Sequence, residues 1–138
     1  EEVYRRPHSR VVADFIGETN FIPGKITASA NETATVETEI GRFDGVVSDP
    51  DWKPQTGETV TLSVRPEAWS IQPDATGVNT IRGRIGESIY LGEVAQYQFQ
   101  SGGQTLKIFE LNPNLSARPT DRDLCASVVP GDVVVLRK

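Results

Sequence analysis

Ala34-Thr35-Val36-Glu37-Thr38-Glu39-Ile40 places a small or apolar side chain at alternate positions, with Thr35, Glu37 and Glu39 between them. Successive side chains of a pleated strand leave opposite faces, so this period of two marks a strand with one buried and one wet face. The same period precedes it in Ile22, Gly24 and Ile26. It follows in Val60, Leu62 and Val64, which alternate with Thr59, Thr61 and Ser63. Residues 81–90, 94–100, 106–111 and 133–137 are further strand candidates. Gly41, Gly45, Asp49-Pro50-Asp51, Gly57, Gly77, Gly102-Gly103, Asn112-Pro113 and Pro130-Gly131 punctuate them. Many short strands between regular turn signals predict an all-β barrel or sandwich.

The pattern repeats. Pro23-Gly24-Lys25-Ile26 resembles Arg82-Gly83-Arg84-Ile85, 59 residues on, and Gly57-Glu58-Thr59-Val60-Thr61-Leu62 resembles Gly131-Asp132-Val133-Val134-Val135-Leu136, 74 residues on. The difference, 74 minus 59, asks for 15 extra residues in the second copy. The polar stretch 112–127, with Pro113 and Pro119, is their expected host. Self-similarity of this kind predicts two related β units, residues 18–72 and 78–138, each a small barrel-like sheet.

Ahead of them, Val3, Pro7, Val11 and Phe15 recur every four residues and are joined by Val12 and Ile16. That stripe predicts a helical segment over residues 1–17, broken near Pro7 and stopped at Gly17.

The 138 residues carry 14 Lys and Arg against 19 Asp and Glu, a net charge of −5. An acidic balance argues against a nucleic-acid binder, whose footprint is a basic patch. The single cysteine, Cys125, excludes an internal disulfide. No apolar run approaches the roughly 20 residues of a membrane span. The chain opens on Glu1-Glu2 and contains no methionine, so it reads as a segment cut from a longer protein.

Catalysis needs a partnered acid, base or nucleophile. The only histidine, His8, stands beside Pro7, and Cys125 has no base near it in sequence. Asp44, Asp49 and Asp51 lack the glycine and glutamate of a calcium loop, and no Gly-x-x-x-x-Gly-Lys-Ser/Thr stretch occurs. No catalytic, cofactor-binding or metal-ligating residue is therefore assigned, and the segment is read as no enzyme in itself. Three motifs remain. Asp14-Phe15-Ile16-Gly17-Glu18-Thr19-Asn20-Phe21 hands helix over to strand. Val64-Arg65-Pro66-Glu67 ends a strand in a fixed kink flanked by opposite charges. Tyr90-Leu91-Gly92-Glu93 ends a strand in a turn. Each can build the fold; Arg65 and Glu67 can also face a partner subunit, because a geometrically fixed guanidinium sets register.

Together these motifs resemble one family. Glu2-Val3-Tyr4-Arg5-Arg6-Pro7, continuing to Ala13-Asp14-Phe15-Ile16-Gly17-Glu18 and Asn20-Phe21, looks like the junction after the ATPase domain in ATP-binding subunits of ABC importers. Val64-Arg65-Pro66-Glu67 matches the Arg-Pro-Glu motif of their C-terminal TOBE domain. Tyr90-Leu91-Gly92 and Asp132-Val133-Val134-Val135-Leu136 also fit. The resemblance spans essentially the whole chain and is nearest the polyamine and ferric-iron branch, although that pattern often has Phe where Val11 or Val12 stands. It implies oligonucleotide-binding-like (OB-like) barrels and a regulatory, dimer-stabilising role. It also implies a place at the cytoplasmic face of a bacterial inner membrane. The partners would be transporter membrane subunits and a second copy of the ATPase subunit, with no nucleic acid. ATP and Mg would belong to an upstream domain. The subunit-contact or regulatory residues would be Glu18, Asn20, Arg65, Pro66, Glu67, Tyr90 and Gly92. Two other readings stand beside it: a sensor of a small ligand or oxyanion held by Arg65 or Arg84, and a nucleic-acid barrel using Tyr90, Tyr97, Phe99 and Phe109.

Overall fold

Each alternating run becomes a strand, and three further strands join them. A computed structural model describes residues 19–111 and 122–137. The helical segment expected over 1–17 lies outside these residues, as does most of the polar stretch 112–127. The strands are β1 (Asn20–Ala30), β2 (Thr33–Thr38), β3 (Gly41–Val47), β4 (Thr59–Val64), β5 (Ser70–Gln72), β6 (Thr80–Leu91), β7 (Val94–Ser101), β8 (Gln104–Leu111), β9 (Leu124–Ser127) and β10 (Val133–Arg137). Single 3-10 turns, Pro66–Ala68 and Pro130–Asp132, precede β5 and β10. The all-β, OB-like expectation holds: β1-β2-β3-β10-β4 close into a barrel, and β5-β9-β6-β7-β8 form a second sheet.

The repeat is real, and strand register fixes its alignment. Both long first strands slip register at equivalent points, between Ile26 and Ala28 in β1 and between Ile85 and Glu87 in β6. Gly24 opposes Val60 in β4, and Gly83 opposes Leu124 in β9. Ala34 opposes Gly45 across β2 and β3, and Tyr97 opposes Ile108 across β7 and β8. Thus β1 to β4 correspond to β6 to β9, and the strands after the two proline turns, β5 and β10, correspond to each other. The offset at these last strands is 64 (Ser70 with Val134), not 74. The 74-residue similarity compares β4 with β10, which are neighbours in one barrel and look alike because both line the same core. The insertion expected within 112–127 is largely elsewhere. The β6–β7 hairpin runs two residue pairs further than β1–β2, through Tyr90–Ala95 and Leu91–Val94.

The sheets do not divide at residues 72 and 78. After β4 the chain turns at Pro66 and sends β5 to the edge of the second sheet, against β9. After β9 it turns at Pro130 and sends β10 into the first barrel, between β4 and β3. The turns match: Arg65 and Val129 have φ, ψ of −68°, 147° and −73°, 147°. The N–H groups of Ala68 and Asp132 donate to the carbonyls of Arg65 and Val129 at 3.1 and 3.0 Å. Proline suits this first turn position because its φ is already set and no N–H is lost. One apolar cluster consequently spans both halves, from Ile22, Val36 and Leu62 to Ile81, Phe99 and Leu124.

Gly45, expected as punctuation, lies inside β3 and serves closure. A Cβ there would come within 2.8 Å of the Val133 carbonyl and 2.9 Å of Val133 Cγ1, so only glycine lets β10 approach. Gly45→Ala should cost about 1–3 kcal/mol, the usual scale of core overpacking. Gly131→Ala, with nothing near its added Cβ, should be close to neutral. Urea denaturation of the two variants checks both.

Candidate functional site

Asn20 opens β1 and Asn79 immediately precedes β6, 59 residues later, so they occupy the same place in the two halves. Both side chains are buried. The Asn20 amide donates from Nδ2 to the Lys107 carbonyl at 2.8 Å, and its Oδ1 accepts the Lys107 N–H at 2.8 Å. Asn79 does the same to Asp44, donating to its carbonyl at 3.0 Å and accepting its N–H at 2.8 Å. Asp44 and Lys107 are equivalent residues of β3 and β8. Each half therefore grips the third strand of the other with a two-pronged amide. An asparagine can do this because it carries both a donor and an acceptor. Asn79 also takes φ of 64°, which asparagine tolerates better than most residues, and its backbone binds Arg42 and Val128.

The halves differ at one seam. In the first barrel β10 pairs with β4 on one side and with β3 on the other, through Val134–Val46 and Val135–Val47. The equivalent β5 pairs with β9, and no described strand pairs β5 with β8. A cleft of about 360 Å³ opens there. Trp69, Ile71 and Ile108 give it apolar surface, Glu67 and Glu110 give it carboxylates, and Ser70, Phe109 and Leu111 complete its lining. The cause lies in side-chain size. Where the first barrel has Ala34, Gly45 and Val133, the second has Tyr97, Ile108 and Trp69. All three are buried and together prop β5 away from β8. Tyr97 donates its hydroxyl to Glu110 at 2.7 Å, and Trp69 packs edge-on to Phe43 across the halves.

The residues singled out in sequence divide around this cleft. Glu67 lines it. Arg65 donates from Nε to Glu67 Oε2 at 3.4 Å, and Pro66 is buried at the head of the turn. Asn20 holds β8, the strand that forms one wall. Tyr90 stacks edge-on against Tyr97 at 6.5 Å between ring centroids, and Gly92, with φ of 64°, turns the hairpin tip beyond it. Glu18 lies outside the described residues. Sequence reading missed Asn79, Trp69, Ile108 and Glu110; the 59-residue offset applied to Asn20 would have found the first.

Neither alternative reading gathers a site. Arg84 and Arg82 are held by Asp123 and Asp74, each at 2.8 Å, which sets carboxylates where an oxyanion would sit. The Arg84 hydrogen bond keeps the Asp123 carboxyl below its usual range, against a smaller opposing effect of desolvation. Of the four aromatics named for a nucleic-acid barrel, Tyr97 and Phe99 are buried, Phe109 is half-buried and Tyr90 is exposed, so they form no continuous stacking platform for bases. Among the described residues no group of three or more His, Cys, Asp or Glu could hold a metal ion. Nor, among them, is any helix long and apolar enough to cross a membrane.

Residues 62–137 match the model of the TOBE domain family. The chain is 40% identical over 110 residues to the spermidine/putrescine import ATP-binding protein PotA of Pseudomonas fluorescens, covering 76% of this chain and 27% of that protein. It is 32% identical over 134 residues to the protein of the same name from Rubrobacter xylanophilus, covering 96% and 32%. It thus spans about a third of the length of the curated relatives it matches. Among solved structures it resembles the cytoplasmic molybdate-binding protein ModG with molybdate bound. The TM-score is 0.67 at 13% identity, over 84% of this chain and 94% of that one. At that identity the likeness concerns the fold.

Asn20→Ala and Asn79→Ala should each destabilise by about 1–3 kcal/mol, because each leaves a backbone N–H and carbonyl of the other half without its partner. The Asn79 variant should lose more in urea denaturation, because alanine tolerates φ of 64° less well than asparagine does. Arg84→Gln should raise the Asp123 pKa toward the ordinary carboxylate value of about 3.9, read by carbon NMR titration. The pair's contribution is full above the unfolded carboxylate pKa and lost as pH falls through the depressed folded value.

Proposed function

Because the chain belongs to the TOBE domain family, we propose that it is the C-terminal regulatory and dimer-stabilising domain of the ATP-binding subunit of an ABC importer. The parent protein couples ATP hydrolysis to solute uptake, and its solute is of the spermidine or putrescine kind. The observation that carries this reading is the alignment with the Rubrobacter import protein, which runs through 96% of the chain. ATP and Mg act in an upstream domain, which also joins the transporter's membrane subunits, and the assembly works at the cytoplasmic face of the membrane. Arg65, Glu67, Asn20 and the Tyr90–Gly92 hairpin belong to the contact and regulatory surface of this domain.

The shape supports such a role. Two halves that share strands and grip each other through paired amides make a rigid body. A rigid body suits a domain that conveys position between subunits without chemistry of its own. The oxyanion-sensing alternative has the ModG fold in its favour. The arginine–carboxylate pairs weigh against it.

Reconstitution of the full-length protein with its membrane subunits in vesicles tests the reading. ATP-driven accumulation of labelled putrescine or spermidine is expected, and removal of residues 19–138 should impair its control while sparing nucleotide binding. A full-length sequence with no phosphate-binding loop upstream of Glu1 would sink the proposal. Calorimetry of this chain with molybdate and sulfate should give no heat; saturable heat would favour the alternative.

A further inference from the structure

We draw no further inference here: the strongest candidate, the cleft between β5 and β8 floored by Trp69 and Ile108, has Glu67 engaged by Arg65 and Glu110 by Tyr97, and nothing in the structure shows what covers its apolar surface.

Discussion

The reciprocal exchange of strands after the two proline turns is the constraint on which the rest depends. A five-stranded barrel needs its last strand to reach back to the third, and here that last strand comes from the other half of the chain. The exchange leaves two places where a strand of one half meets the beginning of the other. There, on the sides away from β2 and β7, no described strand pairs with Asp44 or Lys107. Asn20 and Asn79 meet that need, each offering one donor and one acceptor to a single residue's N–H and carbonyl. A side chain with only one polar function would satisfy half of it. The halves are thus held by chain topology, by a common apolar core and by four hydrogen bonds in two matched pairs. The amide bonds depend on the other two, because they are worth little in water and gain their weight from partial burial.

Given so similar a frame, the difference between the halves comes from three buried positions. Ala34, Gly45 and Val133 let β10 close on β3, with the Val133 carbonyl where a Cβ on residue 45 would crowd it. Tyr97, Ile108 and Trp69 fill the same space in the second half and leave no room for β5 to do so. Both arrangements are dense, so both satisfy the requirement that interiors be filled. One spends the volume on backbone approach and ladder bonds, the other on side chains. The second choice leaves the outer side of β8 without a described strand. That edge is partly managed, since Asn20 covers Lys107 and the longer β6–β7 hairpin rises beside Leu111.

Much of the fold was legible because the exposed and buried faces alternate so regularly. Ile22, Val36, Leu62, Phe99 and Leu106 declare their strands by period alone, and the Gly24 and Gly83 copies declare the repeat. Three strands were not legible, for physical reasons. β5 has three residues and β9 four, too few to show a period, and β9 has three buried residues in succession, Leu124, Cys125 and Ala126. β3 hides behind Gly41 and Gly45, which read as turns but serve a strand start and a close approach. The exchange itself was invisible because β4 and β10 resemble each other more than β5 and β10 do: sharing a core selects for valine and leucine, whereas β5 buries only Ile71 and leaves Ser70 and Gln72 facing water. Of the site, Arg65, Pro66 and Glu67 were found through the turn they build. Ile108 and Trp69 were missed because only comparison with Gly45 and Val133 gives their size a meaning.

The position of the cleft bears on what a rigid domain can report. One wall is β8, and the same strand, two residues away at Lys107, is where Asn20 ties down the start of β1. Phe109 and Leu111 therefore share a strand with the residue that anchors the start of β1. The β8 backbone is held from three sides, by β7, by the buried Ile108 and Leu106 side chains, and by the Asn20 amide. A strand so held does not yield by bending locally. Its displacement would strain both bonds of the Asn20 amide together, because both go to one residue. Strand edge, amide clasp and the start of β1 are thus linked through one residue, Lys107.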